Sequence, residues 1–180
     1  MYQKKNSKIF ILSGKAKSGK NEVARIIEKY YGRENCIQVA YAYYLKDYLV
    51  RMGKYNESEK TKHRGLLQEF GFDFLGKQID SKFLIHRVLE DIEVFSYFYD
   101  VIIITDARLI DEIEIPKQKY NNITTIRVKS KNENDLTEEE RKHITEIGLD
   151  TYTNFDYVIE NDSDLEQLKN KTIEILKGEV

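Results

Sequence analysis

Between an apolar run, Lys8–Ser13 (KIFILS), and an amphipathic stretch, Lys20–Tyr31, stands Gly14-Lys15-Ala16-Lys17-Ser18-Gly19-Lys20-Asn21. No other feature constrains this chain as strongly. It fits G-x-x-x-x-G-K in the context that pattern needs, a buried strand before it and a helix after it. Glycines let backbone N–H groups converge on an anion, and the following helix points its positive end at the same place. Lys20 is placed to reach the outer phosphates of a nucleotide, while Lys15 and Lys17 add charge. The plain alternative is a strand-to-helix turn with no ligand; Gly, Gly and Lys at fixed spacing weigh against it. Asn21 stands where Ser or Thr is usual. Its amide oxygen can ligate Mg²⁺ or hold a metal-bound water, because Mg²⁺ keeps several waters. A loop that binds nucleotide without phosphoryl transfer is the other reading of Asn21.

Apolar runs and helical patterns alternate along the rest of the chain. Strands are predicted over Cys36–Ala42, Val101–Thr105, Ile123–Val128 and Asp156–Glu160, and helices over Tyr43–Met52, Ser81–Tyr99 (capped by Ser81) and Leu165–Leu176. Val101–Thr105 (VIIIT) is continuously apolar, the mark of a strand buried on both faces. Strands separated by helices predict an α/β fold, a parallel sheet covered on both sides. Thr137 and Glu140 form a capping box. Lys129–Arg141 is polar and predicted as an exposed loop or lid, and Asn56–Lys62 as a second exposed loop.

At 180 residues the chain suits one domain with its own core. Cys36 is the lone cysteine, so no internal disulfide is expected. There is no apolar run of the length a secretory signal or membrane span needs, and the expected location is cytoplasmic. Residues 1–64 carry 15 Lys/Arg against 6 Asp/Glu, the remainder 14 against 25. A basic front half suits an anionic small molecule; no motif for polymeric nucleic acid is present. The three histidines and Cys36 show no metal-ligand spacing.

The strand Val101–Thr105 delivers Asp106 at its C-terminal end, where ligands of parallel sheets bind. Asp106 there holds Mg²⁺ through water or orients an acceptor; alternatively it caps the following helix. The planar guanidinium of Arg108 suits bidentate phosphate binding. Its alternative is a surface ion pair with Asp111 or Glu112.

The set GKAKSGKN, YYLKD, LLQEFG, TDARLIDEIE, IRV, HITEIGLD and FDYVIEND, in this order, resembles the phage-type deoxynucleoside monophosphate kinases and the related animal-type phosphomevalonate kinases. The resemblance spans roughly Ile9 to Leu168. It implies a three-layer P-loop fold with a five-stranded parallel sheet, an acceptor-binding helical insertion about 53–80 and a lid about 129–142. It also implies transfer of the γ-phosphoryl of MgATP to a deoxynucleoside monophosphate, by a monomer or homodimer with no membrane partner. Gly14 to Asn21, with Lys15, Ala16, Lys17, Ser18, Gly19 and Lys20 between them, would hold ATP phosphates, and Asn161 would sit beside adenine. Lys46, Gln68, Arg108 and Arg127 would serve the acceptor. Arg141 would join Lys20 and Arg108 in stabilising the transferring group, and Asn21 and Asp106 would serve the metal. Asn21 departs from the Asp usual in this family. A single arginine at Arg108-Leu109, and the presence of LLQEFG, favour a nucleotide acceptor over phosphomevalonate. Read from the residues alone, Lys46 is equally a solvated helix residue, Gln68 a core hydrogen bonder, Arg127 a solvent-face residue and His143 structural. A GTPase switch is disfavoured, because Asn170-Lys171-Thr172-Ile173 lacks the Asp of N-K-x-D.

Overall fold

Strand β1 (Lys8–Ser13) sends successive side chains to opposite faces of a sheet, and both faces are apolar. Ile9 and Ile11 pack on one side with Tyr41, Ile85, Val88 and Ile92. Phe10 and Leu12 pack on the other with Val23, Ile27, Leu168 and Leu176. Each such side chain, fully buried, contributes about 1.5–3 kcal/mol of transfer free energy. The computed structural model describes residues 2–56, 63–130 and 142–178. In it five strands lie parallel in the order β2-β3-β1-β4-β5, with β2 at Cys36–Val39, β3 at Val101–Ala107, β4 at Ile123–Ser130 and β5 at Tyr157–Asn161. Helices α1 (Lys20–Tyr31) and α7 (Leu165–Gly178) cover one face. Helices α2 (Tyr41–Arg51), α4 (Phe83–Phe95) and α5 (Asp111–Lys119) cover the other. The chain between α2 and α4 is helical over α3 (Arg64–Gln68) and a π-helical run, Glu69–Ile79. A short α6 (Ile144–Ile147) precedes β5.

Several boundaries differ from the sequence expectation, each for a tertiary reason. The predicted strand Cys36–Ala42 stops at Val39, and α2 begins two residues before the predicted Tyr43. The carboxylate of Asp106, on β3, accepts the N–H groups of Tyr41 (2.8 Å) and Ala42 (2.9 Å), starting the helix there. Ser81 does not cap α4: the helix starts at Phe83, and Asp80 accepts the Lys82 N–H at 2.9 Å. Asp156 precedes β5 rather than joining it, because its carboxylate is taken by the N–H (2.8 Å) and hydroxyl (2.6 Å) of Thr125 on β4. The capping box Thr137/Glu140 and most of the predicted lid lie outside the described residues.

Pro116 lies inside α5. A proline there supplies no N–H to the carbonyl four residues earlier, that of Glu112. The Tyr41 hydroxyl donates to that carbonyl at 2.6 Å and fills the gap. One buried tyrosine therefore ties α2 to α5.

Candidate active site

The C-terminal ends of β1, β3 and β4, adjacent in the sheet, form the frame of the site. Gly14 leaves β1 with φ 154°, and a Cβ there would collide with the Val128 carbonyl and the Ser18 hydroxyl. Gly19 takes φ 105°, and a Cβ there would lie 2.6 Å from Asn161 Nδ2. Lys17, between them, is left-handed at φ 61°. Left-handed residues in such a loop gather backbone N–H groups into a concave anion nest. Asn161, at the end of β5, donates to the Ser18 carbonyl at 2.9 Å. It thus braces the loop from the side. The Ser18 hydroxyl is buried and has no hydrogen-bond partner among the described residues.

Lys20 begins α1 and is buried. Its Nζ donates to the carbonyls of Gly14 and Lys15, both at 2.8 Å. Burial pushes its pKa down to about 7, and the positive charges of Arg108 and Arg127 act in the same direction. A buried amine in that field is suited to an anion, whose arrival restores its charge. Lys15, Lys17 and Asn21 are exposed at the mouth of the loop, and Ala16 is partly buried.

Beyond β3 the groups are denser. Both oxygens of Asp106 are engaged by the α2 N–H groups; burial raises its pKa and those bonds oppose the rise. A metal-bound water is still compatible with the remaining lone pairs of that carboxylate. Among the described residues no group of three or more His, Cys, Asp or Glu is arranged to hold a metal ion. Mg²⁺ carried on nucleotide phosphates needs only one or two protein ligands, so Asp106 and the exposed Asn21 fit that limited demand.

Arg108 makes neither of the sequence-predicted ion pairs with its guanidinium. Its backbone N–H, with that of Leu109, donates to the Glu112 carboxylate at 2.6 and 3.0 Å. Burial pushes Glu112 up to about 8. The guanidinium instead donates to the buried Glu146 carboxylate and to the Thr145 carbonyl at 3.3 Å. The solvent-face reading of Arg127 is wrong, since it is buried. It donates to Ser13 Oγ at 2.8 Å and to Asp150 at 3.3 Å, with its guanidinium 5.7 Å from the Phe155 ring centre. Asp150 also takes Lys15, at 2.9 Å.

Lys20, Asp106, Arg108 and Arg127 therefore share one electrostatic neighbourhood. Gln68 reaches its edge by donating to Thr145 Oγ1 at 3.3 Å. His143 caps α6, accepting the Thr145 N–H at 3.3 Å, which fits the structural reading. Lys46 stands apart on α2, 5.9 Å from the Tyr55 ring centre. Arg141 lies outside the described residues. Glu146 and Asp150 are the site carboxylates that the sequence did not single out, and Glu112, named there only as an ion-pair partner, instead binds backbone N–H groups. The segment HITEIGLD, which contains Glu146 and Asp150, was the one available signal: it carries acids four residues apart.

The profile of deoxynucleotide monophosphate kinases matches residues 52–172. No curated protein matches the chain. Among solved structures, an APS kinase from Mycobacterium tuberculosis is similar at 12% identity and TM-score 0.56, covering 96% of this chain and 99% of its own. Dephospho-CoA kinase from Campylobacter jejuni follows at 10% and 0.54, covering 97% and 98%. The Thermus thermophilus protein TT1252 is similar at 14% and 0.55, covering 96% and 97%. At such identities these structures establish a shared fold.

Proposed function

The chain belongs to the deoxynucleotide monophosphate kinase family, and from that premise we propose how its residues divide the work of moving the γ-phosphoryl of MgATP to a deoxynucleoside monophosphate. The observation that carries the proposal is the meeting of Lys20, Arg108 and Arg127 around the C-terminal end of the central strand β1. Three cations converging beside an anion nest suit a reaction that is mostly positioning and charge stabilisation.

In this reading Gly14 to Lys20 hold the donor phosphates, and Lys20 follows the γ-phosphoryl as it leaves. Arg108 holds the acceptor phosphate, with Gln68 lining the acceptor side and Lys46 approaching it. Arg127 stands between donor and acceptor phosphates. Asp106 orients the acceptor side while fixing the start of α2. Asn21 and Asp106 would hold Mg²⁺, directly or through water, and the ion would supply charge neutralisation at the donor phosphates. The acceptor phosphate is already an anionic nucleophile, so no strong general base is required. Arg141, on the predicted lid, adds a cation on closure, and closure keeps water from the γ-phosphoryl.

The test is ADP release from MgATP with each deoxynucleoside and ribonucleoside monophosphate, and phosphomevalonate, as separate acceptors. Turnover with one or a few deoxynucleotides is expected. ATP binding with no ADP from any acceptor would show a binding protein instead, and would make Asn21→Asp the next variant to assay.

A further inference from the structure

Two ion pairs, one from the phosphate loop and one from β4, meet on a segment the proposed reaction does not use. Asp150 follows α6 and is exposed. One of its carboxylate oxygens lies 2.9 Å from Lys15 Nζ and the other 3.3 Å from Arg127. Those two cations come from different elements, the loop after β1 and the body of β4. Four residues earlier the same segment supplies Glu146 to Arg108. Cations assigned to substrate phosphates thus meet a carboxylate from one short stretch of chain.

Arg127 does not depend on Asp150 for its place. Ser13 Oγ holds the guanidinium at 2.8 Å, and the Phe155 ring lies beside it. Lys15, by contrast, is exposed and needs only to swing to leave its partner. A carboxylate that is not needed to fix the cations, yet sits on both, offsets their charge until a polyphosphate arrives.

We propose that Asp150 is an anionic place-holder in the donor site, occupying Lys15 and Arg127 until the phosphates of ATP displace it. This rests on the kinase reading of the site. Asp150 acts only through Lys15 and Arg127, so it is a positioning residue. Its negative charge beside the loop opposes anion binding, which fixes the sign of the effect. Both pairs are partly solvent-exposed, so the effect is modest.

The test is calorimetric binding of a non-hydrolysable ATP analogue with Mg²⁺, and separately of inorganic tripolyphosphate, to the full chain at low salt. Asp150→Asn is expected to bind both roughly three- to tenfold more tightly than the wild type. Asp150→Glu keeps the wild-type affinity, and the gain in Asp150→Asn shrinks as salt rises. A residue with a merely structural role would weaken binding when replaced, so tightening is specific to a place-holder. Asp150→Ser provides the same reading if the Asn variant folds poorly. Wild-type binding that neither variant tightens would overturn this proposal alone. A wild-type chain that binds neither ligand would overturn the kinase reading together with it.

Discussion

The central cation of the phosphate loop draws its bonds from the loop itself: Lys20 donates to carbonyls five and six residues away. The cluster beyond β3 and β4 draws its bonds from far along the chain. Asp106 bonds backbone 64 and 65 residues away, Arg108 bonds Glu146 across 38, and Arg127 bonds Ser13 across 114. Both regions carry cations toward one space. They differ in how replacement should act. In the loop, charge is needed for chemistry, and its removal leaves the packing intact. In the cluster, each charge also holds two elements together, so function and stability are entangled.

Four variants or conditions break or sharpen that contrast. Lys20→Ala should lower turnover by roughly a hundred- to several-thousand-fold, about 3–5 kcal/mol of transition-state stabilisation, with an unchanged far-ultraviolet spectrum. Near-normal turnover would remove the loop from the chemistry. Arg108→Ala should lose about a hundredfold in kcat/KM for the acceptor and also about 1–3 kcal/mol of stability, because buried Glu146 loses the guanidinium. Adding Glu146→Gln should restore stability in urea titrations but not the rate. If both returned together, Arg108 would be a structural ion pair.

Lys20 also gives a pH signature. Its pKa in the folded chain is about 7, against an ordinary 10.5, and bound polyphosphate raises it. Binding should therefore take up a proton above about pH 7, and affinity should fall as pH rises, by at most about tenfold per unit. Calorimetry in buffers of different ionisation heat measures this uptake, and Lys20→Ala should abolish it. For folding the sign is opposite. Between about 7 and 10.5 the unfolded chain binds more protons at this position, so the Lys20 contribution to stability rises with pH. The smallest effect belongs to the tie between elements. Tyr41→Phe leaves the Glu112 carbonyl without a donor, because Pro116 has none to give, and should cost about 1–3 kcal/mol in thermal unfolding.

What could be read from sequence follows the same division. The loop and α1 were legible because Gly14, Gly19 and Lys20 act at fixed local spacing, and β1 and β3 because their apolar runs are continuous. The parallel α/β sheet followed from the alternation of strands and helices. The start of α2 was not legible, because its cap is Asp106, distant in sequence. Pro116 inside α5 was not legible either, since its tolerance depends on Tyr41. Arg127 looked like an alternating surface residue until Ser13 and Asp150 were brought to it. The spacing of Glu146 and Asp150 in HITEIGLD did not name their partners; only the fold sets them against Arg108 and Lys15.

The most direct measurement follows the γ-phosphoryl itself. ATP labelled at that position is incubated with Mg²⁺ and a mixture of deoxynucleoside monophosphates, using the wild type and Lys20→Ala. Label in a deoxynucleoside diphosphate, absent in the variant, is the expected result. Label released as inorganic phosphate, or retained in bound ATP throughout, would contradict a nucleotide kinase.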